Sequence, residues 1–246
     1  MNALIVSMCY RGKPHHVENE GTLQDIQIMT DILVQKFKFK TEDIKVLREE
    51  QATLENFSRE LQTMADSSAK INFIYFVGHG FSCPNNTKEN DPEARDSGFV
   101  FYDRHLLDDD MCELLKSFRK DTKNLLMFAQ CYSGNSADLK FHLREDAASQ
   151  ALKRKRDVKS KTVLISAVSD DQISWCFEDG SAFAKNFRTV IREHDEIKFF
   201  DLMRKLRQLD KRQKCSISSS FKLDEHDHLI RKRSFSWIKS QWKKSK

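Results

Sequence analysis

The sequence predicts an α/β fold, a mostly parallel sheet covered by helices on both faces. Three observations predict it. The runs INFIYFV at Ile71–Val77, NLLMFA at Asn124–Ala129 and TVLISA at Thr162–Ala167 are continuously apolar, as strands buried on both faces are. Between such runs lie segments whose apolar residues recur at helical spacing. The alternation of strand and helix then repeats along the chain, the pattern of parallel strands joined by crossover helices.

Each element has its own signal. Asn2–Met8 (NALIVSM) is a short apolar run that ends before Gly12, which suits a buried strand. Leu23, Ile26, Met29, Ile32, Leu33 and Phe37 follow at helical intervals, with Thr22 as the expected cap and Asp25 at N3. Asp43–Leu47 reads as a strand and Thr53–Ala65 as a helix through Leu54, Phe57, Leu61 and Met64. Ile71–Val77 is rich in β-branched and aromatic residues and stops at Gly78. Phe81 to Asp96 is polar, carries two prolines and predicts an irregular loop. Leu107–Phe118, Ser181–Ile191 and Phe199–Leu209 predict amphipathic helices.

Composition narrows the class. A chain of 246 residues, 39% hydrophobic and 32% charged, suits one large globular domain or two small ones. Its 7 glycines and 3 prolines exclude collagen-like and Gly/Pro-rich disordered classes. The net charge of +5 is unevenly placed. Residues 151–161 carry six Lys/Arg against one Asp, and 231–246 carry seven with no acid, so the remaining chain is net −7. Six cysteines are scattered without a C-x-x-C pair or zinc-like spacing. With no signal peptide and no apolar run of membrane-spanning length, a cytoplasmic (or nuclear) reducing compartment with free thiols is expected.

One stretch interrupts the pattern. His142–Lys161 is dense in charge and nearly free of large apolar residues, so it divides the chain into 1–141, a basic linker 142–161, and 162–246. It reads equally as a solvated, helical connection or as an exposed, protease-sensitive linker.

In a doubly wound sheet, ligands bind beyond the carboxyl ends of the strands. Two segments put reactive residues there: Val77-Gly78-His79-Gly80 and Ala129-Gln130-Cys131-Tyr132-Ser133-Gly134. Three of the seven glycines flank one His and one Cys. A cysteine nucleophile needs a nearby histidine as base and acid. It also needs N–H donors for the oxyanion, which Gly80 and Cys131 supply if the two loops converge. Each residue alone would read as an ordinary loop residue; the pair at two buried strand ends reads as a dyad.

Phe76–Gly80 and Gln130–Gly134 resemble the paired histidine and cysteine motifs of the caspase and metacaspase cysteine peptidases. The 52-residue separation agrees with the roughly 50 residues between those motifs in caspases. Gly21-Thr22 with Asp25, Ser166-Ala167 followed by Asp170-Asp171-Gln172 and Ser174, and Ile173–Trp175 with Asp179–Ser181 and Phe183 resemble further family segments. The likeness covers about residues 2–210. It implies a caspase-like three-layer α/β/α sandwich with a six-stranded sheet, a His79/Cys131 dyad, and self-cleavage within 142–161.

The resemblance also bears on substrate and cofactor. Caspases hold a substrate aspartate with two arginines and a glutamine; the matching positions here are Asn19, Ala129 and Cys176, and none is cationic. Metacaspases hold Arg or Lys with acidic residues, one of which matches Asp25 while Ala129 replaces another. Cleavage after Arg or Lys is therefore expected, with Asp25, Ala129 and Ser174 around the substrate and with Lys153–Arg156 as a site for self-processing. Calcium activation would fall on Asp96, Asp109, Asp110 and Asp138, although acids in LLDDDM also suit a helix start with no metal. The implied partners are protein or peptide substrates, with a monomer if metacaspase-like and a homodimer if caspase-like. Two other readings stay open: an aspartate-specific caspase of programmed cell death, and a catalytically weak regulator or scaffold.

Other features are weaker. His15-His16 and His226/His228 are expected in solvent, and Cys83 and Cys112 need no role. Phe235, Trp237, Ile238 and Trp242 among basic residues predict an end strand or docking helix more economically than a membrane- or RNA-binding tail.

Overall fold

A computed structural model describes residues 1–84, 95–143, 149–152 and 157–231. In chain order the elements are β1 (Asn2–Ser7), α1 (Thr22–Gln35), β2 (Ile44–Arg48), α2 (Leu54–Asp66), β3 (Ile71–Val77), β4 (Gly80–Pro84), β5 (Arg95–Val100), β6 (His105–Leu107) and α3 (Asp108–Leu115). There follow β7 (Lys123–Phe128), β8 (Phe141–Leu143), β9 (Ser149–Ala151), β10 (Lys161–Ser166), β11 (Cys176–Phe177), β12 (Gly180–Ser181), α4 (Ala182–Glu193), β13 (Ile197–Lys198), α5 (Phe199–Leu209), β14 (Ser216–Ser219) and β15 (His228–Ile230).

The main sheet runs β2-β1-β3-β7-β10-β14-β8-β9, parallel from β2 through β10 and antiparallel thereafter. Successive side chains of a strand face opposite ways, and here each direction has its own core. Ile5, Tyr75, Met127 and Ile165 pack with α1, α4 and α5, while Leu4, Phe76, Leu126 and Leu164 pack with α2 and α3. That double burial is why the middles of these strands are apolar at successive positions, and it produces the three layers.

Four local expectations change. The sheet has eight described strands because two short ones, β8 and β9, extend it where a solvated connection or linker was expected; backbone pairing along the β14 edge holds them, with no apolar pattern of their own to announce them. Residues 153–156, the expected cleavage site, lie outside the described residues, as does the tail from 232 onward. The expected loop at Phe81–Asp96 contains β4 and β5, antiparallel to each other and joined by β6. Thr22 is the first residue of α1, not its cap: Gly21 takes that position, and Thr22 Oγ1 donates to Asn19 O at 2.9 Å. Gly21 is required there because a Cβ would overlap the Phe177 carbonyl. Finally β14, SISS, is fully buried yet polar; its Ser216 and Ser219 hydroxyls find carbonyl partners on Gly134 and Phe221.

Candidate active site

β3 and β7 are neighbouring parallel strands, so their carboxyl ends deliver Gly78–Gly80 and Ala129–Gly134 to the same edge. The two loops converge closely. A Cβ on Gly80 would overlap the Cys131 carbonyl oxygen and lie 2.6 Å from Gln130 Cγ.

His79 is held from three sides. Its backbone N–H donates to Tyr10 Oη at 2.7 Å, its ring lies over the Tyr10 ring at 4.5 Å between centroids, and its Nε2 is 2.8 Å from Val17 O. A carbonyl can only accept, so Nε2 carries the hydrogen and Nδ1 keeps the lone pair. The imidazole is thereby set as a base at Nδ1.

Cys131 is held on the other side. Ser174 N–H donates to its Sγ at 3.3 Å, and its S–H faces Ser174 O at 3.9 Å. Burial raises the thiol pKa above its ordinary value; the N–H groups of Ser174 and of Cys131 itself, both near the sulfur, pull it partly back. The sulfur thus rests as a thiol and needs a base to become a nucleophile. The surrounding loop is anchored to the segment after β10: Tyr132 N–H donates to Gln172 O at 2.8 Å, Asn135 N–H to Asp170 Oδ1 at 2.7 Å, and the Ser166 and Ser216 hydroxyls to Gly134 O.

Residues 173–177 border this centre. Ile173, Trp175 and Phe177 are 50%, 40% and 41% exposed, whereas Ser174 and Cys176 between them are half-buried. A neighbouring cavity of about 680 Å³ is lined by Asn19, Cys176, three carboxylates (Glu18, Glu20 and Glu178) and Arg11, the last paired with Glu20 at 2.7 Å. Asp25 is buried behind this wall. Its Oδ1 accepts from Ser181 N–H at 2.8 Å and its Oδ2 from Tyr75 Oη at 2.5 Å. Burial pushes its pKa up to about 6 against those two donors, and its charge adds to burial in pushing the Cys176 thiol to about 12. Ala129 is buried and offers no charge; its N–H donates to Phe76 O.

The acidic residues sort differently from expectation. Asp108, Asp109 and Asp138 each present a carboxylate oxygen within 4.8 Å of the others. Buried Asp96 is near enough for its charge to raise Asp108, whose pKa stands at about 6 chiefly through burial. Asp110 does not join them: α3 begins at Asp108, and by its third residue the helix has turned Asp110 to solvent.

Several residues had no signal of their own in the sequence. Tyr10 and Val17 reach His79 from a loop far away in the chain. His16, expected in solvent, is half-buried, with ring centroids 5.1 Å from Tyr10 and 5.9 Å from His79. His228 is also half-buried, 2.9 Å from Glu196, while His15 and His226 are exposed. Cys112 is buried with Sγ 3.9 Å from Asp138 O.

A thiol and an oriented imidazole at the ends of adjacent parallel strands are the working parts of a cysteine hydrolase. A family model described as Caspase domain matches residues 2–241, and the chain belongs to that family of cysteine peptidases. Among curated proteins it is 27% identical to Metacaspase-6 of Arabidopsis thaliana over 65% of this chain and 45% of that protein, and 30% identical to Metacaspase-9 of the same plant over 49% and 40%. The chain thus spans less than half the length of these relatives. In fold it is similar to a Geobacter sulfurreducens protein (TM-score 0.69, 17% identity, 92% of this chain and 98% of that one). It is also similar in fold to Caspase-1 of Spodoptera frugiperda (TM-score 0.61, 14% identity, 89% and 86%). Among the described residues, no helix is long and apolar enough to cross a membrane.

Proposed function

We propose that the chain is a cysteine endopeptidase in which Cys131 is the nucleophile and His79 the general base and acid. The observation that carries this reading is the Nε2 bond from His79 to Val17 O, which leaves Nδ1 as the base, in a loop packed against the Cys131 carbonyl. Nδ1 takes the thiol proton as Sγ bonds to the scissile carbonyl carbon, and the Gly80 and Cys131 N–H groups receive the oxyanion. Collapse breaks the C–N bond, His79 gives its proton to the leaving amine, and water then hydrolyses the thioester with His79 again as base.

Cleavage after Arg or Lys follows from charge. A buried substrate cation needs a partner, and the cavity offers Glu18, Glu20 and Glu178 with Asp25 behind it, where an aspartate side chain would be repelled. Ile173, Trp175 and Phe177 give apolar surface for neighbouring substrate residues. A monomer is the matching state, since β8 and β9 cover the β14 edge that a second copy would need to continue the sheet.

Calcium is the proposed activator, held by Asp108, Asp109 and Asp138 with Asp96 beside them. Carboxylate oxygens on separate elements suit a hard cation. When bound, the ion would offset the charge gathered below the cysteine loop. Asp138 itself links the two, since it closes that loop and its backbone stands at φ +47°.

A panel of peptides differing only in the residue before the cut tests the reading. Arg and Lys peptides are expected to be cleaved at least tenfold faster than the Asp peptide, and Cys131→Ala is expected to abolish turnover. Equal rates from Cys131→Ala would end the assignment. Absence of cleavage by the unaltered chain, with and without calcium, would favour the regulator or scaffold.

A further inference from the structure

We infer that Tyr10 is a positioning residue for His79, the floor and main-chain anchor that keep the imidazole in one orientation and one tautomer. The inference rests on the proposal that His79 is the base, and it concerns how that base is held.

Tyr10 sits at φ +61°, a left-handed conformation that is unusual for a bulky aromatic residue and persists where surrounding structure fixes it. Its ring is buried and lies over the His79 ring at 4.5 Å with a 23° tilt. Its hydroxyl donates to Val100 O at 2.6 Å and accepts the His79 N–H at 2.7 Å, so one side chain touches both the ring and the backbone of His79. Burial pushes its pKa well above the ordinary phenol value, so the hydroxyl stays protonated and able to donate. The sequence makes room for it: a Cβ on Gly78 would come 2.6 Å from Tyr10 Oη.

The rest of the clamp comes from the same loop. Lys13 N–H donates to Tyr10 O, His16 N–H to Lys13 O and Asn19 N–H to Cys9 O, and this turn carries the Val17 carbonyl to Nε2 and the His16 ring to the edge of the stack. Val17 is 78% exposed, so the outer wall of the base is a surface loop and not the core. An imidazole so placed can flip about its ring axis and exchange its nitrogens unless the face contact and the Nε2 bond both hold. The π face of Tyr10 also favours the imidazolium that His79 becomes during acylation. His16, at the edge of this stack, is held low in pKa by burial and, after it, by the charges of His79, His105, His15 and Lys13 that face it, so it stays neutral beside the pair.

Imidazole 15N NMR across pH, alongside peptidase assays, tests this on the unaltered chain, Tyr10→Phe and Tyr10→Leu. The unaltered chain is expected to show His79 as the Nε2–H tautomer. Tyr10→Leu should mix tautomers and reduce kcat about tenfold or more at unchanged KM; Tyr10→Phe, which keeps the ring but loses the hydroxyl anchor, should keep the tautomer, shift the His79 backbone N–H resonance and retain much but not all of kcat. A folded Tyr10→Leu with the original tautomer and kcat would overturn the inference. If Tyr10→Leu does not fold, Tyr10→Phe decides: loss of the hydroxyl that accepts the His79 backbone N–H is expected to shift that amide resonance and lower kcat measurably, and an unmoved backbone amide with unchanged kcat would overturn the inference. The NMR change without peptide cleavage by any form would leave the positioning role standing and remove the peptidase.

Discussion

The two loops that carry His79 and Cys131 are built in opposite ways. The cysteine loop, residues 129–139, is almost wholly buried and is tied by backbone and side-chain hydrogen bonds to Ser166, Asp170, Gln172 and Ser216 from the later part of the chain. The histidine loop, Gly78–Gly80, is half-buried and leans on an aromatic ring and one carbonyl from a surface turn. Under the proposed mechanism, a cysteine fixed by many bonds and a histidine fixed by few should fail differently. Damage to the first should cost stability and activity together, and damage to the second mainly activity.

Two alanine substitutions would break or sharpen that contrast most. Gly134→Ala drives a Cβ to within 2.5 Å of the Asp170 backbone nitrogen, so overpacking is expected to cost about 1–3 kcal/mol, read as a Tm lower by several degrees, with activity lost alongside. Gly78→Ala meets mainly the Tyr10 hydroxyl and is expected to lower kcat/KM about tenfold with a much smaller Tm change. Equal Tm losses in the two variants would erase the distinction.

Calcium should act on the cysteine side, because Asp138 belongs to that loop. At a hundredfold excess over Kd the ion is expected to add about 2.7 kcal/mol, a Tm rise of roughly 5–10 °C. Asp138→Asn should largely remove the rise, whereas Asp110→Asn should leave it intact. A rise undiminished in Asp138→Asn would detach the metal from the cysteine loop.

The smallest expected effect belongs to Asp25, which lies in neither loop. Its folded-state pKa of about 6 stands above the ordinary aspartate value of about 4, so the folded chain takes up this proton first and the fold gains stability as pH falls from about 6 to 4. The ionised form is the costly one. Relative to the unaltered chain, Asp25→Asn should therefore compare best in Tm at pH 7 and lose that relative gain by pH 4. Cleavage after Arg or Lys should weaken in the unaltered chain below about pH 6, as the charge behind the cavity is neutralised; a rate flat from pH 7 to 5 would separate Asp25 from substrate binding.

Much of the fold was legible because parallel strands buried on both faces carry apolar side chains at successive positions, so β1, β3, β7 and β10 announce themselves. β14 did not, since it is polar and its Ser216 and Ser219 hydroxyls are satisfied by carbonyls brought from elsewhere, and neither did β8 and β9, which depend on backbone pairing that any sequence can make. His79 and Cys131 stood out through glycines in a glycine-poor chain. Among three consecutive aspartates, the choice of Asp108 over Asp110 was invisible, because it turns on the residue at which α3 begins.

The sequence by itself determined the α/β architecture and the two strand ends that carry a thiol and an imidazole, because periodicity and glycine placement are local properties written in residue order. Tertiary structure alone decided what surrounds them: Tyr10, His16 and Val17 at the base, Ser174 at the sulfur, the carboxylates along the cavity. The contacts at Cys131 and His79 join residues 43 to 69 positions apart, and the cavity gathers carboxylates farther apart still; only the packing of strands and loops brings such distant side chains together.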